Sequence, residues 1–330
     1  MFLAALWCLA APLAWAQDED VDDTIVVYDD LFKRWDGTRW LVKTEVVLPF
    51  ALRFYALNNQ EFDTTAFQIR TVIACDKDWQ LSNKRWEVSC KIEDFAMRAS
   101  AQTQRDNGKI GNAERVDEVL AQIDDKLSGA SLQLQVREDG RVVDYDLEGV
   151  PKARDRDLTM YATLGQVMRR VIVGFDMRLR KWNTMGEGEW VEYSSQLMTL
   201  PTLDNTASQG NSVVIHRLRK IDGHLTVETR GRGLLAIPFG DQPATYDGRL
   251  ASVAVYSYDD GYMTERVWAM YAKSTAQNYL AENGASQYWH AGRIRQLDPK
   301  EHPDLGKTAR TTFPGNQETG VEPWVSVEDF

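Results

Sequence analysis

Leu132-Gln133-Leu134-Gln135-Val136-Arg137-Glu138-Asp139-Gly140-Arg141-Val142-Val143-Asp144-Tyr145-Asp146-Leu147 is the stretch that decides the fold class. Leu132, Leu134 and Val136 alternate with Gln133, Gln135 and Arg137. That is the period of two by which a strand shows one face to a core and the other to water. Asp139-Gly140 then reverses the chain, because a two-residue type I′ turn needs positive φ at both central positions. Beyond the turn, Val143, Tyr145 and Leu147 resume the apolar face against Asp144 and Asp146. The stretch reads as a β-hairpin buried on one side.

The same device recurs along the chain. Asp222-Gly223 joins 212–221 to 224–237, Asp260-Gly261 joins 249–258 to 262–272, and 286–297 reads as a last strand. Gly231 and Gly233 interrupt their strand and predict a bulge or sharp bend. In 67–75 the apolar parity includes Cys75, and in 86–92 it includes Cys90. Both thiols then sit on buried strand faces of a hairpin, where a disulfide would close a short loop.

Two segments follow helical spacing instead. After Asn112, a plausible N-cap, come Val116, Val119, Leu120, Ile123 and Leu127, with Gly129 as the stop. Between Asp155 and Gly174, an apolar stripe runs through Leu158, Tyr161, Leu164, Met168, Val171 and Ile172. The expected fold is therefore α+β: long curved antiparallel β-sheets with two amphipathic helices packed on them. The expected organisation is a leader at 1–16, a β-rich half with one helix at 17–150, a helix followed by antiparallel strands at 151–297, and an extended or mobile tail at 298–330, which holds four of the ten prolines. Pro151 stands near the boundary between the halves.

The leader is read from Met1 to Ala16, which is uncharged, apolar and ends in Ala14-Trp15-Ala16; Asp18, Glu19, Asp20, Asp22 and Asp23 follow at once. This is the pattern of a cleaved secretory signal peptide, and it is too short to span a bilayer. Removing it takes away Cys8 and leaves Cys75 and Cys90 as a pair, which fits an oxidising compartment, periplasmic or secreted. In all, 330 residues with 43% hydrophobic and 26% charged side chains suffice for a folded protein with a real core. A net charge of −11 disfavours nucleic acid as a partner, since phosphate repulsion opposes association. No later segment reads as a transmembrane helix.

The sequence nominates no catalytic, cofactor-binding or metal-binding residue. His216, His224, His290 and His302 show no metal-ligand spacing, and the turn at Asp222-Gly223 sets His216 opposite Thr229 and His224 opposite Ile221. There is no GxSxG, and Ser194-Ser195 lies within an apparent strand rather than on an elbow. Gly108-Lys109-Ile110-Gly111 is a loop, not a phosphate cradle. The carboxylate pairs Glu93/Asp94, Asp144/Asp146 and Glu187/Glu189 read as solvated surface. Two features stand higher. Arg169, Arg170, Arg178, Arg180 and Lys181 form a basic cluster beside Trp182 that would suit an anionic ligand or membrane surface, or simply a solvated helix end. Nine tryptophans follow the leader, Trp35, Trp40, Trp79, Trp86, Trp182, Trp190, Trp268, Trp289 and Trp324, which stack on sugars if exposed and fill a core if buried.

Cys75 to Asp94, with its Cys-x14-Cys and Cys-Lys-Ile-Glu-Asp, the 132–149 stretch, and Gly188-Glu189-Trp190-Val191-Glu192-Tyr193 resemble uncharacterised secreted proteins of myxobacteria-like bacteria. That resemblance implies no activity and no site. At the level of fold, the pattern is similar to half-barrel periplasmic lipoprotein carriers, which implies an apolar cavity under helices. The expected function is a non-enzymatic envelope protein that binds an apolar or amphiphilic ligand, a lipid, or an envelope protein, without a cofactor. The alternatives are a glycan- or peptidoglycan-binding module, and a hydrolase whose site, using His290 or His216, is assembled from distant strands.

Overall fold

The hairpin at 132–147 forms one edge of a single large antiparallel sheet. The computed structural model describes residues 37–48, 53–54, 60–61, 65–82, 85–99, 113–137, 142–150, 188–196, 209–221, 224–239, 242–257, 263–274 and 287–306, together with Leu164, Gly165, Val167, Met168, Val171, Ile172 and Phe175. The strands are β1 Gly37–Leu48, β2 Arg53–Phe54, β3 Gln60–Glu61, β4 Thr65–Ser82, β5 Arg85–Ala99, β6 Ser131–Arg137, β7 Val142–Leu147, β8 Gly188–Gln196, β9 Gln209–Ile221, β10 His224–Phe239, β11 Gln242–Ser257, β12 Met263–Ser274 and β13 Gln287–Gln296. Helix α1 is Ala113–Leu127. Among the described residues, eleven strands make one sheet in the order β7-β6-β5-β4-β1-β13-β12-β11-β10-β9-β8, and β2 pairs with β3 separately.

Most neighbours in this sheet are also neighbours in sequence, as hairpin chemistry dictates. The exception is β1, which lies between β4 and β13 and pairs antiparallel with both. Strands from early and late in the chain are thereby joined into one surface.

The α+β expectation with two amphipathic helices is overturned. The protein is mostly β, and α1 is the single complete helix among the described residues. Long alternating strands dominate because each supplies its own period-two apolar face. In the stretch read as a second helix, Leu164, Gly165, Val167, Met168, Val171 and Ile172 have helical backbone and the five apolar ones are buried. The rest of 155–174 lies outside the described residues. For α1 the reading of its core face holds: Leu120, Ile123 and Leu127 are buried, and Gly129 follows the helix with φ of 83°, which glycine adopts without Cβ strain. Amide hydrogen bonds stitch the helix end to β5, from Gly129 N to Ile92 O and from Ile92 N to Ala130 O. Asp124, buried on α1, accepts from the amide of Met97 at 2.9 Å.

The bulge expected at Gly231 and Gly233 and the face assigned to Val143 are also corrected. Register runs unbroken through Gly231 and Gly233, opposite Leu250 and Gly248, so neither makes a bulge. In the opening hairpin, the register shifts between Gln135 and Val136, so that Val136 faces Val142. The extra residue is Val143, which turns outward and is exposed, while Val142 takes the inward place. One inserted residue exchanges the two faces of a strand.

Cys75 and Cys90 are direct cross-strand partners and form a disulfide. The bridge sits in the main core, with Trp40, Ile73, Ile92 and Leu132.

Candidate functional site

Period-two alternation assigns every strand residue to one of two faces. Trp40, Val42 and Thr44 of β1 share a face with Ile73, Thr71 and Ile69 of β4, their direct partners, and with Gln296, Ile294 and Gly292 of β13. The same face continues through Trp268 opposite Gly292, Ser252 opposite Trp268, Thr229 opposite Ser252, and His216 opposite Thr229. This is the core-side face. Leu120, Ile123 and Leu127 of α1, and the buried Leu164, Val167, Met168, Val171, Ile172 and Phe175, pack into one cluster with it. Trp40 meets Phe175 edge to face, with ring centroids 6.3 Å apart.

At the centre of this face, Trp268 is laid flat along the sheet. A Cβ at Gly292 would overlap the six-membered part of the Trp268 indole, so only glycine lets the ring cross that strand. Thr44 is the next residue along the same row. His290, two residues before Gly292, is buried and meets Trp268 edge to face at 6.1 Å. Arg266 places its guanidinium carbon 5.7 Å from the centre of the Trp268 ring, a cation–π contact.

Three polar atoms lie buried in this apolar wall. Trp40 and Thr44 are fully buried and Trp268 nearly so. The indole Nε1 of Trp40, the Oγ1 of Thr44 and the indole Nε1 of Trp268 find no hydrogen-bond partner among the described residues. Buried polar groups are nearly always paired, and leaving one unmade costs about 1–3 kcal/mol. Two of the three atoms are pure donors and the hydroxyl can donate, so the group that would satisfy them is an acceptor, such as a carbonyl, ester or carboxylate oxygen.

Arg169, Arg170, Arg178, Arg180 and Lys181 lie outside the described residues. His216 faces Thr229 and His224 faces Ile221, as the turn geometry requires, and His216 Nδ1 stands 3.1 Å from Thr229 Oγ1. His290 shares the sheet face with His216, but β12, β11 and β10 separate their strands. Among the described residues, no group of three His, Cys, Asp or Glu could hold a metal ion. Asp144 and Asp146 are both exposed on β7. Glu93 instead accepts from Arg39 Nε at 2.9 Å. Of the tryptophans, Trp40 and Trp268 serve the core and Trp86 is half-buried against it. Trp35, Trp182 and Trp324 lie outside the described residues.

Among the described residues, no helix is long and apolar enough to cross a membrane. No family model matches the sequence, and no curated protein matches it. The resemblance to secreted proteins of myxobacteria-like bacteria finds no counterpart in these comparisons. Eight chains of solved structures match. One is from a structure described as "Lipid-protein interactions in lipovitellin", with a TM-score of 0.40 and 9% identity over 83% of this chain and 26% of that one. This chain thus spans about a quarter of the lipovitellin chain, and the likeness is too weak to carry function from one to the other.

Proposed function

We propose that this is a non-enzymatic protein of an oxidising, extracytoplasmic space that holds an apolar or amphiphilic ligand against the core-side face of its sheet. The observation that carries the reading is the set of three buried polar atoms, Trp40 Nε1, Thr44 Oγ1 and Trp268 Nε1, on one apolar face. A ligand with an apolar body and an oxygen acceptor matches that wall, and Arg266 over Trp268 supplies a nearby positive charge for an acidic head group. The disulfide between Cys75 and Cys90 supports the compartment, because cytosolic thiols are kept reduced.

Native mass spectrometry of the purified protein, before and after organic extraction, tests the reading together with titration by palmitate or a lysophospholipid. Expected are a co-purifying small mass and a saturable change in tryptophan fluorescence. Thr44→Val keeps the shape and removes one unpaired hydroxyl. It should raise the stability of the extracted protein by about 1 kcal/mol while weakening ligand binding several-fold. A protein that is empty as purified and takes up neither probe overturns the proposal.

A further inference from the structure

The opposite face of the sheet has a different character. Its residues are the odd positions of β1 and their partners: Arg39, Leu41 and Lys43, with Ala74, Val72 and Arg70 on β4, and Arg295 and Arg293 on β13. Arg98 of β5 belongs to the same face, two residues after Ala96, the partner of Arg70. In one row, Arg70, Lys43 and Arg293 stand directly opposite one another on β4, β1 and β13. Adjacent cross-strand partners are about 4.5–5.5 Å apart at Cα, and like charges so placed destabilise a sheet. Such a row is unexpected in a chain whose net charge is −11.

Carboxylates answer the rim of this cluster. Arg39 is bound by Glu93, Arg293 by Glu265 and Arg295 by Glu301. Arg70, Lys43 and Arg98 lie inside that rim. Arg98 is nine-tenths buried, and its Nε and that of Arg70 find no hydrogen-bond partner among the described residues. Both guanidiniums reach toward Gly306, in the segment 297–306 that crosses this face and buries Leu297 and Leu305 on Leu41, Val72 and Ala96. A Cβ on Gly306 would overlap Arg98 Nη2, and Arg70 Nη1 lies 3.9 Å from the same point. Arg98 Nη2 donates to the carbonyl of Leu305 at 3.4 Å. Burial, and then Arg70, hold its pKa below the ordinary arginine value, and Asp304 and Asp124 offset part of that.

We propose that Arg70, Lys43 and Arg98 form a binding site for a phosphate-type anion, either free or as the head group of an anionic lipid, bordered by the segment 297–306. Converging guanidiniums supply planar, multi-donor recognition of oxyanions, and Lys43 adds a compact charge between Arg70 and Arg293. Burial, and then the neighbouring Arg70, Arg295 and Arg293, push the Lys43 ammonium below its ordinary pKa, and an incoming anion would oppose the like-charge part of that shift. The site lies on the reverse of the sheet from the apolar wall and stands or falls separately from it.

The test is thermal unfolding of the whole protein with inorganic phosphate against sodium chloride at matched ionic strength, plus co-sedimentation with phosphatidylglycerol or phosphatidylcholine vesicles. Expected is a saturable rise in melting temperature with phosphate, or retention by phosphatidylglycerol vesicles alone. The first outcome assigns a free anion and the second a lipid head group. Either response should weaken at least tenfold in Arg70→Gln, and in Lys43→Gln should the first variant fail to fold. The proposal is overturned if phosphate acts no differently from chloride and neither vesicle retains the protein. It is equally overturned if a folded Arg70→Gln or Lys43→Gln keeps the full response.

Discussion

Gly292 carries more of the core than its lack of a side chain implies, because the Trp268 indole occupies the volume where a Cβ would project. Gly292→Ala should cost about 1–3 kcal/mol by overpacking, read from urea unfolding, and adding Trp268→Leu should recover part of that loss. If the two substitutions simply add, the ring does not press on that position. Lys43 makes a second residue-level prediction. Its pKa is lowered in the fold, by burial first and then by Arg70, Arg295 and Arg293. Between the lowered and the ordinary lysine value the unfolded chain holds more protons, so stability rises with pH there, and the penalty is complete below that window. Lys43→Met should be more stable than the native protein at neutral pH, and the difference should shrink as pH approaches the ordinary lysine value, followed by denaturant titration at several pH values. At this scale the sequence was legible where contacts are local. The placing of His216 opposite Thr229 needed only the turn at Asp222-Gly223. The meeting of Trp268, Gly292 and Thr44 depends on the pairing of β1, β13 and β12, which no local pattern announces.

At the scale of elements, alternation and Asp-Gly turns located the long hairpins, and parity alone placed Cys75 against Cys90. Closing that loop should contribute about 3 kcal/mol in the chain-entropy model. Reduction, or Cys75→Ala with Cys90→Ala, should lower the unfolding free energy by that order in matched denaturant titrations, and unchanged stability would place the constraint elsewhere. Alternation fails where one residue is inserted: the period of two turns Val143 inward, yet it points out, because the register shift beside Val136 exchanges the faces. Gly231 and Gly233 show the converse, since glycine permits a bulge without imposing one and the pairing partners on both sides keep step. The helical stripe of α1 was legible because Leu120, Ile123 and Leu127 follow the 3.6-residue period onto a core. The apolar wall was legible only in part: alternation marks 249–258, 262–272 and 286–297 as strands, but 37–48, which becomes β1 and brings Trp40, Val42 and Thr44, is not read as one. Its polar atoms were not legible, since burial of Thr44 and Trp268 is decided by strands remote in sequence.

For the whole molecule, the decisive contact is β1 with β13. Hairpins alone would yield two meanders, and it is this pairing that makes one sheet of them and aligns the apolar wall on one side and the cationic row on the other. A chain stopped after residue 286 would lack β13 and leave β1 and β12 with bare edges. It should lose the sharp thermal transition and near-UV circular dichroism of the full protein, whereas retention of both would show that the meanders stand alone. The same pairing has a consequence in time. Trp40 leaves the ribosome more than two hundred residues before its partner Gln296. At about 5–20 residues per second, that is a delay on the order of ten seconds or longer. During it, one flank of an apolar, hydrogen-bond-hungry strand stays open to any neighbouring chain. A nascent protein so built gains from having that flank shielded until β13 has been made.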